Sequence, residues 1–313
     1  MDPRMLTMAG IVVGALTLGT AVSLLLPRVA KTERTSRIAS NLLARMRSWW
    51  VMVAVFALAV TLGNTATIVL FGLTSFLAFR EFITLTPTAR GDHRTLFWVF
   101  FVFIPLHYVL LGQERYGLFS IFIPVYAFVL IPARMAAAGE TTDFLNRASR
   151  IQWGLLTCVY FISHAPALLQ LRVEGFDGSM GIVLFYFVLL VQMNDVFQYL
   201  FGTLFGRRPI VPAVSPGKTV EGFVGGLAGT VVVAVSLAWA TPFSPGAAGA
   251  MALGVATFGF LGDITMSAVK RDIGVKDFST LIPGHGGTLD RIDSLAFTAP
   301  LFFHVVRYFY HTG

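Results

Sequence analysis

Charge is what this sequence has least of. Only 12% of its 313 residues are Asp, Glu, Lys or Arg, whereas 56% are hydrophobic and 29 are phenylalanine. With a mean hydropathy of +0.75, the composition excludes an ordinary soluble domain and indicates a polytopic membrane protein. The alternating apolar and polar pattern of a membrane β-barrel is also missing. That leaves helices, the other structure that satisfies its own backbone in lipid. Cysteine is almost absent: Cys158 stands alone in an apolar run, which excludes an internal disulfide and reads as a packed thiol. The start, Met1-Asp2-Pro3-Arg4, is weakly charged and no small-residue cleavage site follows the first apolar run, so that run reads as a retained span rather than a removed leader.

Apolar length and loop breaks predict ten membrane helices, at roughly 7–26, 49–63, 65–79, 96–111, 118–132, 151–171, 180–193, 220–240, 246–262 and 294–310. The number falls to nine if 49–79, broken at Leu62-Gly63-Asn64, forms a hairpin that does not fully cross twice. Alternating sides along these spans gathers 19 of the 23 Lys and Arg residues on one face and leaves Arg4, Arg115, Arg172 and Arg307 on the other. The positive-inside rule makes the rich face cytoplasmic. The net charge of +7 is therefore topological, with some attraction for anionic lipid headgroups, and gives no support to a nucleic-acid role.

Several features of the first half carry no chemistry. Gly10 and Gly14 form a small-xxx-small pair that permits close helix approach but equally fits ordinary glycine content. Trp49-Trp50 fits the headgroup belt at the end of the basic loop from Arg28. His107 and His164 have no carboxylate or second histidine at ligand spacing, so each reads as a hydrogen-bonded core side chain. Ala136 to Arg150 reads as an amphipathic surface piece.

The exception to this scarcity of charge is Ser267 to Asp293, SAVKRDIGVKDFSTLIPGHGGTLDRID, with four basic and four acidic residues. If 258–271 is helical, Asp263, Ser267, Lys270 and Arg271 share one face. Pro283, Gly284, Gly286 and Gly287 then force a non-helical turn around His285 that allows close backbone approach to a ligand. Asp290 and Asp293, three residues apart, share a face in a spacing that a hard divalent cation such as Mg²⁺ accepts while keeping waters for phosphate oxygens. The chemical reading is a metal-assisted polyphosphate site.

A second block lies upstream: Asn194-Asp195, Tyr199, Gly202, then Ser215-Pro216-Gly217-Lys218-Thr219-Val220-Glu221-Gly222. Gly-Lys-Thr suggests a P-loop, but that motif requires glycine at position 212, where Pro212 stands. What remains is a turn presenting Ser215, Lys218 and Thr219 to an anion at the mouth of the next helix. Glu221 in its first turn reads as dipole and capping support. Gly222, Gly225, Gly226 and Gly229 read as a helix-packing face.

Both blocks resemble the motifs of the phosphatidate cytidylyltransferase (CDP-diacylglycerol synthase) family. The signature matches at Ser267, Lys270-Arg271, Lys276-Asp277, Pro283, His285-Gly286-Gly287, Asp290-Arg291 and Asp293; Thr288 departs from the usual apolar residue. The upstream block matches at Asn194, Asp195, Tyr199, Gly202, Ser215, Pro216, Lys218, Thr219, Glu221 and Gly222. The resemblance covers about 193–293 and implies transfer of the cytidylyl group of CTP to phosphatidate, with Mg²⁺ and possibly a second cation, at a bacterial plasma membrane with the site facing the cytoplasm. It divides the chain into a scaffold, 1–179, and a catalytic region, 180–313, and leaves a homodimer open.

Carried onto these positions, the expected catalytic residues are Lys218, Ser267, Lys270, Arg271, Asp290 and Arg291. Ser215, Thr219, Lys276, His285, Gly286 and Gly287 are expected to bind substrate. Asp263 and Asp290 are the expected primary metal ligands, with Asp293 and Asp195 behind them or at a second ion. His285 could steer a proton, bind phosphate or hold its turn, and Lys276 and Asp277 could pair with each other. The Asp-Gly-x2-Ala-Arg pattern of CDP-alcohol phosphotransferases is absent. The rival from another class is a non-catalytic or altered homologue, an anion- or lipid-binding membrane protein or a transporter, although no inverted repeat is evident.

Overall fold

The computed structural model describes residues 2–29, 33–281 and 286–312, with side chains of 26–41 outside that description. Ten helices follow in order: α1 (Pro3–Val29), α2 (Glu33–Leu62), α3 (Asn64–Leu85), α4 (Asp92–Gly112), α5 (Tyr116–Ala136), α6 (144–170), α7 (Met180–Phe205), α8 (Val220–Ser236), α9 (Pro245–Ile273) and α10 (Leu289–Tyr310). Between α7 and α8 a small antiparallel hairpin pairs β1 (Pro209–Val211) with β2 (Ser215–Thr219). Among the described residues, α1 to α5, α7 and α9 contain stretches long and apolar enough to cross a membrane. The protein is an all-α polytopic membrane protein.

Local sequence sets many of the boundaries. Ser179, Thr219 and Ser244 cap α7, α8 and α9, their hydroxyls accepting from the N–H groups of Gly181, Gly222 and Ala247 at 3.2, 3.1 and 3.3 Å; each satisfies a donor that the first turn would leave unpaired. Gly63, at φ 107°, separates α2 from α3 in a conformation open to glycine. In α4, wide π turns over Val99–Phe103 precede Pro105, whose ring and missing N–H disrupt regular α-helical bonding there.

Residues of both halves of the chain share one apolar core, in which Phe187 of α7 stacks on Phe302 of α10 at 4.7 Å and Phe161 of α6 meets Phe297 edge-on at 5.7 Å. The glycine face of α8 packs on α7 as its spacing predicts. A Cβ on Gly222 would stand 2.8 Å from the Gln198 carbonyl oxygen and 3.0 Å from Gly202 Cα, and one on Gly229 would stand 2.7 Å from Phe197. Around Gly10 and Gly14 there is only open space. Cys158 is a free, buried thiol. His107 is hydrogen-bonded to Ser163 at 2.9 Å, and His164 Nδ1 donates to the Tyr160 carbonyl at 2.7 Å, as core histidines should.

Several helices run past their expected ends, because charged residues do not end them here. The run expected to stop at 193 continues through Asn194-Asp195 to Phe205, and the one expected to stop at 262 continues to Ile273. Burial by neighbouring helices replaces the water those polar residues would otherwise need. Similarly, α2 begins at Glu33 and takes in most of the expected basic loop, while α3 extends to Leu85. At 1.5 Å per residue the 22 residues of α3 reach about 33 Å, enough for a hydrocarbon core of about 30 Å. Trp50 donates to Thr20 at 3.1 Å, tying α2 to α1. The stretch expected to be an amphipathic surface piece contains buried Arg147, whose Nη1 lies 3.7 Å from both Asp92 and Glu140 while Nη2 donates to the Glu140 carbonyl at 2.7 Å.

The α7–α8 seam is testable. Gly222→Val places a side chain against two backbone atoms that cannot rotate away, and thermal unfolding in detergent should show a loss of about 1–3 kcal/mol.

Candidate active site

The upstream block works through the hairpin. Glu221 accepts from the backbone N–H groups of Arg207 and Arg208 at 3.0 and 3.2 Å, and the Val220 N–H donates to the Arg208 carbonyl at 2.9 Å. The end of α7 is thereby folded back onto the start of α8. Glu221 thus does more than complement its own helix dipole. This fold-back carries Lys218 to α9, where its ammonium pairs with Asp263 and lies 3.5 Å from Gln198 Oε1 of α7. Burial alone would lower the Lys218 pKa, but Asp263 and Asp195 outweigh it and hold the group above its ordinary value.

The α9 face forms as the spacing predicts at Asp263 and Ser267, whose hydroxyl donates to Asp263 Oδ1 at 3.3 Å. One turn on, Lys270 donates to Asp290 Oδ1 of α10 at 2.9 Å, with its ammonium 5.5 Å from the Phe278 ring centre. Arg271 diverges from this face: its guanidinium donates to the Val214 and Val275 carbonyls at 3.2 and 3.1 Å, bracing the hairpin against the end of α9.

Asp290 accepts from three donors. Besides Lys270, its Oδ2 accepts from the N–H groups of Phe278 at 2.8 Å and Gly287 at 2.9 Å. It therefore fastens the described ends of the signature loop. Gly286 sits at φ 79° with room for no Cβ, because one would lie 2.9 Å from Asp290 Oδ2; a left-handed backbone and a close approach both call for glycine there. The expectations for Pro283, Gly284 and His285 fall outside the described residues.

Asp195 and Asp293 face the same region. Ser294 donates its hydroxyl to Asp195 Oδ1 at 3.1 Å and its N–H to Asp293 Oδ1 at 2.8 Å. Asp195, Asp263 and Asp293 lie within electrostatic reach of one another, as do Lys218 and Asp293, and Arg291 and Asp195. Three buried donors, Arg291 Nε, Asn194 Nδ2 and Gln198 Nε2, have no acceptor among the described residues. Thr219 is spent as a helix cap, although its own O–H remains able to donate. Ser215 is half-buried at the far end of the hairpin, opposite Val211. Lys276 and Asp277 are exposed beyond α9, and among the described residues they form no ion pair with each other.

The geometry is a cluster of acids and cations contributed by α7, the hairpin, α9 and α10. Residues 43–309 match the cytidylyltransferase family. The chain belongs to that family. It is 42% identical over 265 residues to Uncharacterized protein YnbB of Escherichia coli (strain K12), covering 84% of this chain and 87% of that one. It is also 38% identical over 149 residues to the phosphatidate cytidylyltransferase of Aquifex aeolicus (strain VF5), covering 47% of this chain and 55% of that one. Against the enzyme of the same name from Haemophilus influenzae it is 40% identical over 174 residues, covering 53% and 58% respectively. The chain thus spans little more than half the length of these two phosphatidate cytidylyltransferases.

The site also contains an acid that motif reading misses. Glu81, near the end of α3, is buried against the start of α10 and accepts from Ser279 Oγ at 2.8 Å, Thr288 N at 2.9 Å and Leu289 N at 2.8 Å. A signal was present, because an acid inside an apolar run needs a partner. The partner lies across the chain.

Two outcomes test this geometry. Lys270→Met leaves the Asp290 carboxylate buried beside two amides, so stability should fall by about 3–5 kcal/mol; Asp290→Asn in the same chain should recover part of it in thermal unfolding. For Lys218 the folded pKa exceeds the unfolded one, so its stabilising contribution is complete below the unfolded pKa and fades as pH rises through the folded pKa. Melting curves of wild type and Lys218→Met should therefore converge at strongly alkaline pH.

Proposed function

We propose that this protein transfers the cytidylyl group of CTP to phosphatidate, giving CDP-diacylglycerol and pyrophosphate in phospholipid biosynthesis. The observation that carries the reading is the meeting of Lys218, Lys270 and Arg291, from three separate elements, with Asp195, Asp263 and Asp293 in a cytidylyltransferase. Both reactants are polyanions, and their approach requires fixed cations. The buried Arg291 Nε, without an acceptor among the described residues, suits an anionic oxygen.

In this reading a phosphatidate oxygen attacks the α-phosphorus of CTP. The bond from that phosphorus to the bridging oxygen breaks, and pyrophosphate leaves with the electron pair. A phosphate monoester is already largely ionised near neutral pH, so no side chain need act as general base. Lys218, Lys270 and Arg291 stabilise charge on the incoming, bridging and leaving oxygens. Ser267, and the outlying Ser215, Thr219, Lys276 and Arg271, extend the donor set toward the substrates' remaining phosphate oxygens.

The donor set also suits Mg²⁺. Among the described residues no three acids close into a cage, and Mg²⁺ prefers one or two carboxylates completed by water and substrate phosphate. Asp263 would hold it directly, with Asp195 and Asp293 behind it or at a second ion; Asp290 would join only by releasing Lys270 and two amides. Bound there, Mg²⁺ would supply charge neutralisation of the polyphosphate. The excess of Lys and Arg on one side of the spans supports a bacterial plasma-membrane location with the site on the cytoplasmic face.

A different acceptor lipid is the second reading. The match to YnbB covers 84% of the chain, against 47% and 53% for the two phosphatidate cytidylyltransferases.

The test is pyrophosphate release by purified protein in detergent. Release should require CTP, phosphatidate and Mg²⁺ together. Asp263→Asn and Lys218→Met should each reduce it by about 10²-fold or more, and Asp290→Asn should abolish it with membrane insertion retained. No release from well-folded protein with phosphatidate of several acyl lengths would overturn the reading, and release with another anionic lipid alone would establish the second one.

A further inference from the structure

Glu81 belongs to neither motif and lies in the half of the chain that reads as scaffold. Its carboxylate is nevertheless fully committed to the other half: Oε1 accepts from Ser279 Oγ and Thr288 N, and Oε2 accepts from Leu289 N, all within 2.9 Å. Thr288 and Leu289 open α10, the helix that supplies Asp290, Arg291 and Asp293. The first N–H groups of a helix have no partner inside it, and a negative charge there is favoured by the helix dipole. Glu81 supplies both the acceptor and the charge from α3.

The fit is also steric. A Cβ on Gly287 would stand 2.9 Å from the Glu81 carboxyl carbon and 2.9 Å from Ser279 Oγ. The second glycine of the signature is thus required by the approach of this carboxylate as well as by any ligand. From the opposite side Asp290 accepts from Phe278 N and Gly287 N. The described ends of the loop are therefore held between two carboxylates, one from each half of the chain. Because Glu81 occupies the anion position at the start of α10, substrate phosphates are left to Lys218, Lys270 and Arg291.

We propose that Glu81 is a positioning residue for the transfer reaction: its carboxylate sets the start of α10 and with it the placement of Asp290, Arg291 and Asp293. The inference rests on the cytidylyl-transfer reading for its catalytic consequence, but not for the contact itself. Misplacing reacting groups by about 1 Å costs on the order of 10²-fold in rate, and the binding cations are not removed. The substitution should therefore act on kcat more than on KM.

The full-length protein in detergent supplies the test, with Glu81→Ala, Glu81→Gln and Ser279→Ala. In Glu81→Ala the Thr288 and Leu289 amides should exchange hydrogen at least about tenfold faster, and kcat per folded molecule should fall by about 10²-fold, with KM for CTP within about twofold. Glu81→Gln retains one acceptor and should lie between. Ser279→Ala should have a smaller effect that is less than additive with Glu81→Ala. Unchanged exchange would overturn the proposal, as would faster exchange with wild-type kcat, which marks a structural contact only. If wild type releases no pyrophosphate, the transfer reading fails, and exchange at Thr288 and Leu289 still decides whether Glu81 holds the helix.

Discussion

An ionised carboxylate buried in an apolar bundle is costly unless cations or N–H groups surround it, and this requirement organises the functional half of the structure. Asp290 is matched by Lys270 and two amides, Asp263 by Lys218 and Ser267, and Glu81 by two amides and a hydroxyl. Each match ties one element of the chain to another, and Glu81 does so across about 200 residues. The acids therefore act as the fastenings of the fold around the site as well as its chemistry. Removing either partner of such a match strands the other in a poor solvent for charge.

The hairpin between α7 and α8 shows the same economy. Glu221, half-buried, folds the chain back by accepting two backbone N–H groups, while Thr219 caps the helix that follows. Lys218, immediately before Thr219 in the chain, is thereby delivered to Asp263. The glycines of α8 let that helix approach α7 closely enough to bury Asn194 and Gln198. Their amide nitrogens, unpaired among the described residues, make this end of the bundle rich in donors together with Arg291 Nε. Such a surface is suited to phosphate oxygens, in keeping with membership of the cytidylyltransferase family.

Part of this was open to reading along the chain. The scarcity of charge implied membrane helices, Gly63 marked a real break, and the fourfold spacing of Asp263 and Ser267 placed them in contact. Helix ends near the site lie beyond the charged residues that would mark exposure in a local reading. Asp195 and Lys270 instead lie within continuous helices, where neighbouring side chains replace water. The basic segment before Trp49 is likewise helical, since long basic side chains do not prevent α-helix.

Periodicity, spacing and composition, which act over a few residues, determined by themselves that the chain is helical and membrane-embedded, and where its unusual residues cluster. They could not determine which acid meets which cation. Asp290 and Asp293 look equivalent at a spacing of three, yet one accepts from Lys270 and the loop amides while the other faces Asp195 and Asp263. Glu81 and Leu289 are far apart in the chain and meet only because α3 and α10 share a core. Those pairings depend on how whole helices pack, and packing is a property of the assembled bundle rather than of any local stretch.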